Sequence, residues 1–207
     1  AAPTAEPAPA VEFSGSGDEG SFTAADGRFT CSWTIDRAAR TIEFDMAADT
    51  TGYVSIGWAS PRTERYHVRT DMVTGWVDDM TMDAHVIDTW SMLDDLPDED
   101  ASDDVTLVAA TQVDGRTSVR FTRAWDTGDA AQDVALVDDG EALHVQWAFE
   151  SFDPFSDTDV ATGRTRWLYA DHFDNAGSVY VDLLGGGAAA ESVEFPDAGV
   201  LLVIALA

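Results

Sequence analysis

Two histidines stand where their side chains could hold a metal from opposite directions. His67 lies between two aromatic-rich runs, YVSIGWAS and TDMVTGWVDD, and His172 lies far downstream in YADHFDNAGSVYVDLL. Neutral imidazole is a good donor to iron and other transition metals. If the fold brings the two histidines together, the chain can clamp one ion between them. The positive charge gathers at the same places. Every basic residue is an arginine; Arg62, Arg65 and Arg69 lie within five residues of His67, and Arg164 and Arg166 within eight of His172. In an extended chain Arg65 and Arg69 share a side with His67. Arginine is always charged and binds carboxylates bidentately, so these clusters suit an anionic ligand or, equally, the carboxylates of an acidic surface. The other histidines, His85 in MDAHVIDTW and His144 in ALHVQWAF, alternate with apolar neighbours and read as ordinary strand residues. No Ser/His/Asp, paired-acid or phosphate-loop arrangement stands out.

The elements that must position these residues are strands. In TIEFDM, Ile42, Phe44 and Met46 point one way while Thr41, Glu43 and Asp45 point the other. RFTCSWTI, GYVSIGWA, DMVTGWV, AHVIDTW, VTLVAAT, TSVRFTRAW, ALHVQWAF and SVYVDLL read alike, separated by turn signals such as ADGR, VDGR, DTGD and VDDGE. No long stretch has helical periodicity. About nine short strands with regular turns predict an all-β antiparallel sandwich or barrel. Residues 1–20 read as a flexible N-terminal segment, 21–186 as the sandwich and 187–207 as a C-terminal tail. Ser91 to Asp104 reads as an acidic surface loop.

The chain has 207 residues and a formal charge of −28, from 39 acidic and 11 basic residues. Such acidity repels nucleic acid and anionic lipid. The carboxylates are spread along the whole chain, as in proteins of extreme halophiles, where they keep the surface hydrated. In molar salt the Debye length is ~3 Å and self-repulsion is screened. Cys31 is the lone cysteine, which excludes an intrachain disulfide and a CxxCH attachment site. The opening AAPTAEPAPA reads as a mature N-terminus left by an export signal, or as a linker, so an extracytoplasmic location is expected. The closing GVLLVIALA is shorter than the ~20 residues that span a bilayer and reads as a final strand or the stump of a membrane anchor.

From Phe29 to Gly186 the chain resembles the DOMON domains. The resemblance rests on the order of FTCSWTIDRAARTIEFDM, TGYVSIGWAS, TDMVTGWVDD, VRFTRAWDTGD, LHVQWAFE and DHFDNAGSVYVDLL. It implies an immunoglobulin-like antiparallel β-sandwich, usually extracytoplasmic, that binds haem b or sugars. Haem-binding members such as the cytochrome domain of cellobiose dehydrogenase hold iron between a methionine and a histidine. The methionine sits just before the strand that corresponds to DMVTGWV, a position that falls on His67, and the histidine falls on His172. The resemblance therefore implies bis-histidine haem b. Arg65, Arg69 and Arg166 would be propionate partners, and Trp58, Met72 and Trp76 would flank the pocket. The departure from methionine leaves Met72 as a ligand in a shifted register, or a non-haem site, as alternatives.

The expected function is electron transfer rather than catalysis, because six-coordinate iron leaves no position open to substrate. The expected partner is a redox enzyme or membrane cytochrome. A rival reading is a metal-free carbohydrate-binding module in which Trp58, Trp76 and Asp71 supply a stacking face and hydroxyl acceptors. A third is a structural surface domain without a small ligand.

Overall fold

The computed structural model describes residues 11–59, 67–92, 97–158, 165–168, 175–185 and 192–193, with the backbone alone at 157–158, 165–168 and 192–193. The expected all-β antiparallel sandwich is the fold observed. In chain order the strands are β1 Glu12–Ser16, β2 Glu19–Ala24, β3 Phe29–Asp36, β4 Thr41–Ala48, β5 Val54–Ala59, β6 Thr70–Val77, β7 Ala84–Ser91 and β8 Asp98–Glu99. They continue with β9 Val105–Val113, β10 Arg116–Ala124, β11 Leu143–Phe149, β12 Phe155–Thr158, β13 Thr165–Leu168, β14 Ala176–Val181 and β15 Ser192–Val193. One sheet has the order β1-β2-β3-β4-β10-β9; the other has β12-β13-β8-β7-β6-β5-β11-β14-β15.

The two sheets bury different amounts of their strands. In the six-stranded sheet one face is buried and the other is wet. Phe29, Cys31, Trp33 and Ile35 of β3 point inward while the residues between them face out, and Ile42, Phe44 and Met46 of β4 do the same. Their core is aromatic: Phe44 packs against Trp58 and Phe121 with centroids 5.2 and 5.3 Å apart, and Phe29 stacks on Trp147 at 5.1 Å. Burial pushes the Cys31 thiol well above its usual range, so it is an inert core residue. In the nine-stranded sheet all eight residues of β6 are buried, so that strand is covered on both faces.

Two expectations shift. Residues 1–20 were expected to be flexible, yet β1 and the start of β2 pair in register from Glu12 to Thr23. Phe13 packs against Phe22, which is in the core, and this apolar pair outweighs the Gly/Ser content that hid the hairpin. Residues 1–10 lie outside the described residues. The acidic stretch Ser91 to Asp104 was read as loop, but Asp98–Glu99 forms β8 against Thr89 and Trp90. β15 likewise falls within the expected tail and pairs with β14.

Candidate functional site

Register partners in an antiparallel sheet share a face, so the pairings define what the outer face of the nine-stranded sheet presents. From β6 come Thr70, Met72, Thr74 and Trp76; opposite Met72 lie Gly57 of β5 and Thr89 of β7; Gln146 of β11 follows Gly57, and Ser178 of β14 follows Gln146. Thr70, Met72, Thr74, Trp76, Thr89, His144, Gln146, Ser178 and Tyr180 are all buried on this face. Across β5, β6, β7, β11 and β14 the described outer-face positions hold no Asp, Glu, Lys or Arg. In a chain with 39 acidic residues, that is the signature of a surface kept from water. A flat sheet would set β13 and β14 six inter-strand steps apart, roughly 29 Å. Only eight residue steps separate Leu168 from Ala176, and these reach about 26–29 Å when fully drawn out. A twisted or curved sheet relieves that demand.

His67 begins the turn that feeds β6 at the edge of this face. It is half-buried and has φ +56°, and Arg69 has φ +52°. A left-handed conformation costs a non-glycine residue about 1–2 kcal/mol, so the surroundings must hold the turn. Part of that hold is Gln146: its Oε1 accepts the His67 backbone N–H at 3.3 Å, and its Nε2 donates to Thr70 Oγ1 at 3.3 Å. Met72 is one pleat further in, and Gly57 makes room for it. A Cβ at Gly57 would stand 2.7 Å from Met72 Cγ and 2.9 Å from Thr70 Cγ2. His67, Thr70, Met72, Gly57 and Gln146 thus form one constellation.

The other expected site residues divide. Arg69 is exposed beside the His67 turn. Trp76 shares the face of Met72 but lies two pleats away, stacked on its cross-strand partner His85 at 4.8 Å. Trp58 does not flank this face. It is in phase with Val54 and Ile56, fully buried between the sheets, with the Arg123 guanidinium 4.9 Å from its ring centroid. Asp71 pairs with Trp58 in register and is also buried on the inner side, bonded to Arg123 Nη1 at 2.6 Å. Trp58 and Asp71 therefore offer no stacking face to a sugar. Arg166 lies in β13 opposite Asp98; its side chain, Arg65 and His172 lie outside the described residues. Sequence reading missed Gln146 and set His144 aside. His144 is indeed a strand residue, but on the outer face, stacked on Tyr180 at 4.9 Å. The available signal was the phase of LHVQWAF: Val145 and Trp147 go to the core, so His144 and Gln146 must share the opposite face.

A model of the DOMON domain matches residues 25–150. The chain belongs to the DOMON family. The matched span contains the His67 turn, Met72 and Gln146 and ends before β14. Among solved structures, the DOMON chain is similar to the cytochrome domain of Myriococcum thermophilum cellobiose dehydrogenase, with TM-score 0.55 and 14% identity over 81% of this chain and 80% of that one. It is also similar to the cytochrome b domain of pyranose dehydrogenase from Coprinopsis cinerea, with TM-score 0.53 and 12% identity over 78% and 81%. These likenesses share the fold. No curated protein sequence matches the chain.

Proposed function

We propose that this DOMON domain binds non-covalent haem b on the outer face of its nine-stranded sheet and serves electron transfer. The observation that carries the reading is the buried, uncharged face that begins at the strained His67 turn, on a fold similar to two cytochrome domains. The residues fit the group. Haem is a flat, largely apolar ring, and Gly57, Met72 and Ala59 give it a floor without charge, which Gln146 and Thr70 edge with neutral polar groups. His67 and His172 are the proposed axial ligands. His172 lies in the connection between β13 and β14, which joins opposite flanks of the face. Arg65, Arg69 and Arg166 are the proposed propionate partners, each able to bind a carboxylate bidentately.

Bound haem supplies one-electron chemistry, with its potential set by ligand identity and burial. The chain's share is to hold the imidazoles, exclude water and place positive charge at the propionates. A second imidazole in place of a thioether lowers the potential, because imidazole better stabilises ferric iron. With His67 and His172 both holding the iron, no position would be left for substrate, so the proposed role is that of a carrier rather than a catalyst. Its proposed setting is extracytoplasmic, anchored or free, with a redox enzyme or membrane cytochrome as partner. Among the described residues no helix is long and apolar enough to cross a membrane.

The test is the visible spectrum of the full chain reconstituted with haem b. Sharp α and β bands on reduction, lost in His67→Ala and in His172→Ala, are expected. Unchanged spectra in both variants overturn the assignment. Loss in Met72→Leu with retention in His67→Ala moves the ligand to Met72.

A further inference from the structure

The inner side of the same sheet holds a second cluster that the haem reading does not use. Asp71 of β6, Asp88 of β7 and Asp133, in the segment between β10 and β11, each bring a carboxylate oxygen to within 4.8 Å of the others. Asp71 is 1% exposed and Asp88 is 5% exposed. Asp71 spends Oδ2 on Arg123 Nη1 at 2.6 Å and on the Val134 N–H at 3.0 Å. Asp88 spends Oδ2 on the Asp104 N–H at 3.3 Å. Their Oδ1 atoms are buried with no hydrogen-bond partner among the described residues, and Oδ2 of Asp133 and Oδ2 of nearby Asp100 share that condition. Asp100 is placed there by its backbone N–H, which donates to the Asp88 carbonyl at 3.1 Å.

Orphaned carboxylate oxygens in a low-dielectric interior are costly, so something must answer them. Three carboxylates beside one guanidinium leave two negative charges in excess. Protons are one answer: burial, then the neighbouring carboxylates, push Asp88 up to about 9, and burial pushes Asp71 up to about 6 against the pull of Arg123. A proton neutralises a single carboxylate and leaves its neighbours charged. One divalent cation cancels the excess and can take one oxygen from each of the three carboxylates.

The donor set selects the ion. All donors are hard oxygens, whereas zinc favours nitrogen and sulfur. Calcium takes six to eight oxygens at about 2.3–2.6 Å in flexible geometry, and three carboxylate oxygens within 4.8 Å of one another can sit around one such ion. Magnesium needs tighter octahedral geometry and keeps its waters, which a site this buried does not favour. We propose that Asp71, Asp88 and Asp133 form a calcium site between the sheets. The ion would staple the long β10–β11 segment, whose Val134 and Leu136 plug the core, to β6 and β7. Asp71 and Asp88 come from the paired strands β6 and β7 and Asp133 from a distant segment, so the ion ties that segment to the sheet rather than closing a local loop.

The test uses the full chain, stripped with chelator and held in molar NaCl to suppress loose binding by surface carboxylates. Titration calorimetry with CaCl2 should show one equivalent bound, and the melting temperature should rise with calcium concentration, as for any ligand of the native state. Magnesium should bind at least tenfold more weakly. Asp133→Asn, half-buried and away from the strands, should fold and cost at least tenfold in calcium affinity, while the exposed Asp114→Asn should leave it unchanged. The proposal falls if no stoichiometric binding is seen, or if Asp133→Asn binds calcium like the parent. It falls equally if calcium leaves the melting temperature unmoved while Asp88→Asn raises it, the mark of a buried acid that keeps its proton.

Discussion

On β6, Met72 faces a buried surface without formal charge, while its neighbour Asp71 faces the carboxylates of Asp88 and Asp133 and a single guanidinium. One residue of register separates the two environments, and one sheet thickness insulates them. The outer face offers imidazole, thioether, amide and hydroxyl groups, the donors suited to iron and to a neutral ring. The inner cluster offers hard oxygens, suited to a hard cation. The contrast shows how an extremely acidic chain spends its carboxylates. They are excluded from the face proposed for the cofactor, and where they enter the interior they do so as a group, with Arg123 as their counter-charge.

The largest effect is expected on the inner side. Asp71→Ala leaves Arg123 as a buried charge without its carboxylate, at a cost of about 3–5 kcal/mol. Chemical denaturation measures it, and the reduced haem spectrum of the folded fraction should stay as in the parent. A loss below about 1 kcal/mol, or a shifted spectrum, would mean that the two faces are not separate. Next comes pH. Asp88 is faced by Asp71, Asp133, Asp100 and Arg123, and its folded value is raised from 3.8 to about 9. A raised carboxyl stabilises the fold fully below its unfolded value and loses that contribution as pH climbs to the folded value. With divalent cations chelated, stability should therefore fall between about pH 4 and 9. Asp88→Asn should flatten the slope, and calcium should do the same in the parent. A melting temperature flat across that window would remove Asp88 from the cluster.

The matching perturbation on the outer face is Gly57→Ala. The added methyl meets Met72 and Thr70, and such overpacking costs about 1–3 kcal/mol. Here the haem spectrum or haem affinity should change, while calcium affinity should not. Altered calcium binding with an unaltered spectrum would reverse the assignment of the faces.

The sandwich was legible because alternation is a local signal. β3, β4 and β10 each write their buried face in the sequence. The site was legible only as far as phase was followed. Trp58 reads as a pocket aromatic by its neighbourhood, but its phase with Val54 and Ile56 sends it to the core. Gln146 carries no chemical flag, and its hold on the His67 N–H joins residues 79 apart in the chain. The acid cluster had a fainter signal. Asp88 lies in phase with Val86 and Trp90, and Asp71 with Val73, so each is an acid in a core-facing register. Asp133 lies in no strand, and among 39 acidic residues nothing but tertiary packing selects it.

The smallest expected effect lies on the wet side of the six-stranded sheet. Arg120 of β10 reaches Asp45 at 3.2 Å and Glu43 at 3.8 Å on β4, with the side chains roughly two-fifths exposed. The chemistry matches the Arg123–Asp71 pair, which is 1% exposed, so exposure is the variable that differs. An exposed pair is worth about 0–1 kcal/mol because water already solvates both ions. In molar salt, where the Debye length is about 3 Å, the pair should contribute nothing measurable. Arg120→Ala should thus cost under about 1 kcal/mol in dilute salt and leave denaturation unchanged in molar NaCl, whereas the Asp71→Ala deficit should survive the salt. If both losses vanish together, the inner cluster is wet and the insulation between the two faces fails.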